Sequence, residues 1–177
     1  MSQTTQLFER YRQQLQLPQN PYLSPAERIW IAVHDPAEER RIRGNIREFA
    51  LVTQQQNLEW SHFDLTPHFA RWMLEHPYHE AYFAEPELLK GALQGFENVL
   101  LDALQAEMAR LSPQSVLAVT GAGTLYGLTR ISTVIERAAP SLRGRMLLFF
   151  PGSLEGHNYR LLNARDGWNY HSVPLLP

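Results

Sequence analysis

The sequence predicts a single α/β domain, with a mostly parallel central sheet flanked by helices and a C-terminal antiparallel hairpin. Two observations predict this class. Short runs of β-branched, aromatic and aliphatic residues, typical of buried strands, alternate along the chain with helical apolar patterns. The 177 residues also hold no internal repeat, low-complexity tract or long linker, so we expect one domain over residues 1–177.

The N-terminal part predicts a helix, a strand and a second helix. An apolar stripe over residues 7–15 predicts an amphipathic helix, so residues 1–20 form an N-terminal helix and turn. Residues 28–34 have the composition of a buried strand. Residues 35–38 then begin a helix. Aspartate at the N-cap and glutamate at the third helical position can accept hydrogen bonds from free backbone N–H groups, and proline at the first position has no N–H to satisfy.

The middle of the chain predicts another strand followed by helices. Residues 58–64 read as the second strand, and Thr66-Pro67 begins a helix that ends at Pro77. The longest helix follows Pro86, because apolar residues recur there at intervals of three and four as far as Leu111.

The C-terminal part predicts further strands and one helix. In chain order these are a strand over 116–120, a helix over 125–139, a strand over 145–150 that ends in a Pro-Gly turn, and hairpin strands over 159–163 and 170–175. Asp166-Gly167 is the turn signal for that hairpin. We expect functional residues beyond the carboxyl ends of the parallel strands, as in other open α/β sheets.

Composition excludes several classes of function. The absence of cysteine excludes thiol catalysis, thiolate zinc sites and iron–sulfur clusters, and gives no indication of an oxidising compartment. No run approaches the roughly 18 apolar residues of a membrane span, and the polar N-terminus does not resemble a signal peptide. We therefore expect a cytoplasmic protein without membrane contact.

The net charge of −2 hides an uneven distribution. Acidic residues dominate 59–109, whereas arginines outnumber acids in 110–177, and Lys90 is the single lysine. The basic excess is too small to predict DNA binding by itself. Separated charge of this kind favours docking to a complementary partner.

The loop after the predicted strand 116–120 is a candidate ligand site. Gly121, Gly123 and Thr124 stand between a strand and a predicted helix, where backbone N–H groups can bind a phosphate. The loop lacks the Gly-Lys-Ser/Thr ending of a P-loop, and Gly127 falls one position beyond the dinucleotide fingerprint. Structural turn glycines and an anion site both remain open, but nucleotide hydrolysis is not supported.

The seven histidines do not predict a metal site. His62 and His68 could converge with Asp64 only if a strand end met the next helix favourably, and His76 and His79 flank a proline. Neither spacing matches a His-Glu-x-x-His helix, in which both ligands share one face. We interpret these histidines as surface or hydrogen-bonding residues and expect neither a metal nor a cofactor.

Nucleophilic and acid–base catalysis are weakly supported. Ser153 does not lie in a Gly-x-Ser-x-Gly elbow. Glu155 and His157 could form an acid–base pair of a hydrolase, but neighbouring loop residues often carry such groups without chemistry. We therefore predict that the protein is not an enzyme.

Three surfaces could dock a partner. Arg40, Arg43 and Arg47 mark one face of the helix predicted after residue 35. The carboxylates at 75, 80, 85, 87 and 97 indicate a solvated acidic face or a docking surface. The aromatic residues of the C-terminal hairpin lie close in sequence to arginines, a combination enriched at protein interfaces, although a hairpin packed over a core would use the same residues.

The chain resembles the BrxB family of bacterial BREX phage-defence systems, most closely over residues 115–177. The motifs that carry the resemblance are Val116-Leu-Ala-Val-Thr-Gly-Ala-Gly, Tyr126, Arg130, Ser132, Leu148-Phe-Phe-Pro-Gly (which contains Pro151 and Gly152), Gly156, Arg160-Leu161 and Asn169-Tyr170. Upstream, the strand before Asp35-Pro36 and the strand ending at Asp64 fit the same order.

The resemblance implies an accessory protein without a recognised catalytic site. BREX systems combine an ATPase, an adenine-specific DNA methyltransferase and the phosphatase-like protein PglZ. We expect an adaptor that helps to assemble this machinery, with PglZ as the foremost partner and the methyltransferase or ATPase as others. The alternative is a nucleotide- or nucleic-acid-binding module that uses residues 121–124 with Arg130, so direct contact with nucleic acid stays open.

Overall fold

A central sheet of parallel strands organises the protein, and a computed structural model describes its residues 1–165 and 167–177. The strands are β1 (Ile29–His34), β2 (Glu59–Asp64), β3 (Ser115–Thr120), β4 (Arg145–Glu155), β5 (Asn158–Leu161), β6 (Trp168–Asn169) and β7 (Val173–Leu175). The order across the sheet is β2-β3-β4-β1-β7, and every neighbouring pair on this path is parallel. The predicted α/β class is confirmed.

Helices cover both faces of this sheet. They are α1 (Gln3–Leu15), α2 (Glu39–Gly44), α3 (Ile46–Gln55), α4 (His68–Glu75), α5 (His79–Ala84), α6 (Leu93–Arg110) and α7 (Ile131–Ala138), with 3-10 turns at Ala26–Arg28, Pro36–Glu38, Pro86–Gly91, Ala122–Leu125 and Ala139–Ser141. Residues of α1 to α3 pack on one face, and residues of α6 and α7 pack on the other.

The alternation of side chains along β1 builds two cores from one strand. Ile29, Ile31 and Val33 point into the core beneath α6 and α7. Trp30 and Ala32 point into the core beneath α1 and α3. All six residues of β1 are buried, which explains why the strand reads as a continuous apolar run in the sequence.

The helix predicted after residue 35 is divided. A 3-10 turn leads into α2, which ends at Gly44, and α3 begins at Ile46. Asn45 interrupts the α-helical backbone, and its side-chain amide donates to the Arg41 carbonyl, a bond that competes with helix continuation. The predicted single face of arginines is therefore shared between two helices.

The helix predicted over 125–139 begins later than expected, at Ile131. A 3-10 turn and a further turn intervene, and Gly127 adopts a positive φ of 77° within them. The longest helix also begins later than Pro86, because a 3-10 segment precedes α6. In both places tight turns replace the first helical turns that the apolar spacing predicted.

The Pro-Gly turn predicted at residues 151–152 is wrong, because β4 runs straight through Pro151 and Gly152 to Glu155. A Cβ on Gly152 would stand 1.9 Å from the Arg160 carbonyl oxygen of β5, so glycine here permits strand pairing. The chain reverses instead at Gly156-His157, a two-residue loop whose first residue has a φ of 62°, as a type II′ turn requires.

The predicted C-terminal hairpin is only partly right. β5 pairs antiparallel with β4 and with β6, but β7 leaves this group and pairs parallel with β1 at the sheet edge. β1 pairs with β4 along one side, so the backbone N–H and C=O groups along its other side are free to pair with another strand. The three-residue strand β7 uses these groups. Asp166, half of the predicted turn signal, lies outside the described residues.

Candidate functional site

The carboxyl edge of the parallel sheet collects polar side chains from several strands. Strands β1 and β4 are neighbours, yet the chain leaves β1 towards the face of α2 and α3 and leaves β4 towards the face of α7. Such a reversal is where open α/β sheets form a crevice for ligands. In this protein, the side chains around that position are largely paired with one another.

An ion pair between Arg43 and Asp64 joins helix α2 to the end of β2. The guanidinium donates to Asp64 Oδ2 at 2.5 Å and to Thr66 Oγ1 at 2.7 Å. Burial alone would raise the pKa of Asp64. The pKa nevertheless lies below its ordinary value, because Thr66 donates hydrogen bonds to the carboxylate and the positive charge of Arg43 stands beside it. Both side chains of the pair are half-buried, and their bond holds the loop after β2 against α2.

His34 occupies the end of β1 with its side chain fully buried. The Asp35 carbonyl can only accept, so His34 Nδ1 carries the proton and donates to it at 3.0 Å. The other ring nitrogen, Nε2, lies 3.3 Å from Glu39 Oε2 without a hydrogen bond, and both atoms are buried. Burial lowers the pKa of His34 and keeps the ring neutral.

A second set of contacts links β2 to β3. His62 Nε2 lies 2.8 Å from Thr120 Oγ1, and the Thr120 hydroxyl is 3.5 Å from Asp64 Oδ1. Burial also lowers the pKa of His62. Together with Arg43, these groups tie the ends of adjacent strands to each other.

The glycine loop after β3 packs tightly against this edge. Gly121 has a φ of 83°, and a Cβ there would stand 2.6 Å from Thr66 Oγ1. Gly123 faces Pro151, whose Cγ would lie 3.4 Å from an added Cβ. The Thr124 hydroxyl donates to the Gly121 carbonyl at 2.6 Å. A short 3-10 turn follows, so the loop does not stand at the N-terminus of the helix that motivated a phosphate site.

Tyr126 and Arg130 lie apart from that packing and line a cleft of about 280 Å³ beneath the C-terminal hairpin. Its floor consists of buried aromatic rings from Phe150, Tyr159 and Trp168. The Trp168 indole N–H donates to Glu136 at 2.7 Å, which anchors β6 to α7. The structure therefore separates the predicted ligand loop into a packed glycine turn and a cleft wall.

The remaining candidate residues fall elsewhere. Glu155 and His157 stand at the tip of the β4–β5 hairpin, where Glu155 pairs with Arg160 at 3.4 Å. Gly156 forms the turn between them. Arg40 and Arg47 are exposed on α2 and α3.

The histidines take structural positions where the structure describes their contacts. The His68 ring stacks on Phe63 with centroids 4.8 Å apart, and His79 Nδ1 lies 2.8 Å from the His76 carbonyl, to which it donates. Within residues 1–165 and 167–177, no group of three or more histidine or acidic side chains is arranged to hold a metal ion. No helix in the same residues is long and apolar enough to cross a membrane.

Sequence reasoning identified the strand ends but missed the pairing between them. The sequence predicts Asp64 and His34 at carboxyl ends, whereas it predicts Arg43 on a docking face. The sequence does contain one signal that Arg43 forms ion pairs: Glu39 and Arg43 are spaced i and i+4, which places them on one side of a helix. Their charged groups lie 3.8 Å apart in the structure. That side is the one turned towards Asp64.

The fold and its carboxyl edge define a doubly wound α/β protein whose edge side chains are bonded largely to one another. Residues 76–174, more than half of the chain, match the family described as BREX protein BrxB, and the chain belongs to that family. The family resemblance is thereby confirmed, and the match runs from residue 76 to residue 174, so the upstream features at Asp35-Pro36 and Asp64 lie outside it. Searches of curated proteins and of solved structures found no match.

Membership places the protein among the components of BREX phage-defence systems. The family is an accessory one within these systems and not a known enzyme family. Other BREX proteins are the partners that membership suggests.

Proposed function

We propose that the protein is a non-enzymatic adaptor that assembles a BREX complex in the cytoplasm through protein–protein contacts, foremost with the phosphatase-like PglZ. The observation that carries this proposal is the family match over residues 76–174. The methyltransferase and the ATPase of such systems are the next partners to test.

The bonding of the carboxyl edge gives these side chains a structural role that fits an adaptor. Arg43, Asp64 and Thr66 bind one another, and His62 bonds to Thr120. These contacts stabilise the loops that surround the sheet.

Exposed arginines offer one surface for assembly. Arg40 and Arg47 stand in solvent, whereas Arg43 is held by Asp64. Reversing Arg43 would place a third carboxylate beside Glu39 and Asp64 and damage the fold, so it cannot test docking. The informative variant is Arg40→Glu with Arg47→Glu.

Tagged co-purification from cells that express the neighbouring defence genes tests the proposal. We expect recovery of PglZ, or of another BREX component, in fixed stoichiometry at about 0.1 M salt, where exposed charges still act over roughly 10 Å. Repeating the wash at about 0.5 M salt measures how much of the contact depends on exposed charge. Recovery of the protein alone under both conditions would overturn the adaptor proposal.

The arginine surface is tested in the same cells. The Arg40→Glu, Arg47→Glu variant should lose partner at low salt, and Arg10→Glu with Arg12→Glu on α1 provides a control of equal charge change. Equal recovery with both variants would remove this surface from the proposal and leave the adaptor role intact.

A further inference from the structure

The connection between β2 and β3 contains more structure than the crossover needs. Parallel strands require one helix to cross the face of the sheet, and α6, with 18 residues, fulfils that role. Helices α4 and α5 and the 3-10 segment Pro86–Gly91 come before it. α5 packs against α4 and the 3-10 segment, and neither α5 nor that segment buries a single residue.

This additional segment carries large apolar side chains in solvent. Leu74 is 67% exposed, Tyr78 64%, Phe83 64% and Leu88 52%. Single exposed hydrophobic residues are normal, but here four fall within fifteen positions, on consecutive elements that pack together. We call these four residues, with Glu75, Glu80 and Glu85, the α4–α5 face.

The charge of the α4–α5 face is one-sided. Lys90 is the only lysine or arginine between residues 72 and 96, and it pairs with Glu87 at 2.6 Å. No ion pair reaches Glu75, Glu80 or Glu85 from the residues that the structure describes. The nearest arginine in sequence is Arg71, exposed on α4 four residues before Glu75, so the apolar side chains are interspersed mainly with acidic groups.

A six-residue helix without buried side chains is not stable on its own, because an isolated helix of this length does not recover the cost of its first turn. Rings around His76 hold the segment together locally, since Trp72, Tyr78 and Tyr82 lie 5.0, 5.9 and 4.9 Å from it, centroid to centroid. These contacts leave the outward side chains uncovered. A partner that buries them would add the apolar contact that the domain itself does not supply.

We propose that the α4–α5 face is the docking surface for a protein partner whose own face presents arginine or lysine around apolar side chains. This inference rests on the proposed adaptor function and names a second surface for it, opposite in charge to the surface of Arg40 and Arg47. The acidic groups select a basic partner, and they repel nucleic acid, whose phosphates carry the same sign. Tyr78, Phe83 and Leu88 also lie inside the range shared with the BrxB family, whereas Arg40 and Arg47 lie outside it.

The apolar part is tested with Phe83→Ser and Leu88→Ser together. Both side chains are more than half exposed, so the variant should fold, which its melting temperature checks. Co-expression with the neighbouring defence proteins should then show partner affinity reduced about tenfold or more, as for central interface residues. Leu17→Ser with Leu51→Ser, at 56% and 59% exposure on other surfaces, is the matched control and should bind normally.

The acidic part is tested with Glu80→Lys and Glu85→Lys. We expect weaker partner binding at about 0.1 M salt and nearly normal binding at about 0.5 M, because exposed charges are screened there. Glu9→Lys with Glu48→Lys, on α1 and α3, makes the same charge change elsewhere. Normal binding of the Glu80, Glu85 variant at low salt would overturn the proposed chemistry of the partner.

The outcomes separate this inference from the adaptor function. Partner recovered equally with the Phe83, Leu88 variant and with wild type overturns the α4–α5 face and leaves the adaptor role. No partner with wild type overturns both. If the wild-type protein forms a dimer, and the Phe83, Leu88 variant is monomeric but still binds the partner, then a second copy of this chain occupies the face. That outcome would also overturn the inference. Support requires slower hydrogen exchange of α5 in the complex.

Discussion

At the scale of single residues, Gly121 shows how the candidate loop is constrained. Its φ of 83° is costly for residues with a side chain, and the space beside it is filled by Thr66 and Asp64. The glycine is therefore required by the packing of the edge. Gly127 shares the unusual backbone, with a φ of 77°, but no atom of residues 1–165 and 167–177 lies within 4 Å of where its Cβ would be.

These two glycines give a matched prediction. Gly121→Ala should lower the free energy of unfolding by about 2–4 kcal/mol, because it adds a steric clash to backbone strain. Gly127→Ala should cost about 1 kcal/mol, which is the strain alone. Urea unfolding measures both, and equal losses would show that the contact with Thr66 does not matter.

His34 makes stability depend on pH. Its pKa is lowered by burial from the ordinary 6.5, so below that pH the unfolded chain binds a proton that the folded protein resists. Stability therefore falls as pH drops from about 7 to 5, by at most roughly 1.4 kcal/mol per pH unit for one proton. His62 and His68, also lowered by burial, act in the same direction.

We predict that His34→Asn reduces this pH dependence. The asparagine amide can still donate to the Asp35 carbonyl, but it cannot take up a proton. Unfolding by urea at a series of pH values should give a shallower decline between about pH 7 and 5 than in wild type, even if the midpoint is lower throughout. An unchanged slope would assign the effect to the other histidines.

At the scale of elements, local sequence signals predicted the bounds of the parallel strands better than the bounds of the helices. β1, β2 and β3 lie within one residue of their predicted bounds, because β-branched and aromatic residues between turn signals mark a strand in the sequence. The break between α2 and α3 was missed, because a glycine and an asparagine within an apolar stripe are often tolerated in a helix. The sequence predicts a turn at Pro151-Gly152, but pairing with β5 makes these residues part of a strand.

The break between α2 and α3 predicts one stabilising substitution. Gly44 is helical and no atom of the residues that the structure describes lies within 4 Å of an added Cβ, so Gly44→Ala meets no steric obstacle there. We expect the free energy of unfolding to rise by about 0.5–1 kcal/mol, because alanine has less backbone entropy to lose. Thermal unfolding measures this gain, and a loss would mean that the bend at Asn45 needs the freedom of Gly44.

At the scale of the whole molecule, the sheet couples two cores that lie on opposite faces. Phe49 is fully buried under α1 and touches Tyr11 and Phe149, with ring centroids 5.4 and 5.1 Å away. Phe96 is fully buried on the other face beside Phe69, at 5.3 Å. Because β1 supplies side chains to both cores, neither core can lose its packing without disturbing the other.

We therefore predict one cooperative unfolding transition. Phe49→Ala and Phe96→Ala should each lower the stability by about 3–5 kcal/mol, through lost transfer energy and the cavity left behind. Tryptophan fluorescence and far-UV circular dichroism should follow the same urea curve for each variant. Separate curves for the two signals would show that the faces unfold independently.

The sequence by itself determined the α/β class, the order of strands and helices along the chain, and the family. Composition, periodicity and the order of motifs can all be seen in the sequence without knowledge of which residues meet in space. Tertiary structure alone decided three features: the pairing of Arg43 with Asp64, the passage of β4 through Gly152 and the parallel docking of β7 on β1. Each joins residues at least eight positions apart in sequence, and most join residues far more distant. Contacts of that kind depend on how strands and helices pack, which no local pattern of residues specifies.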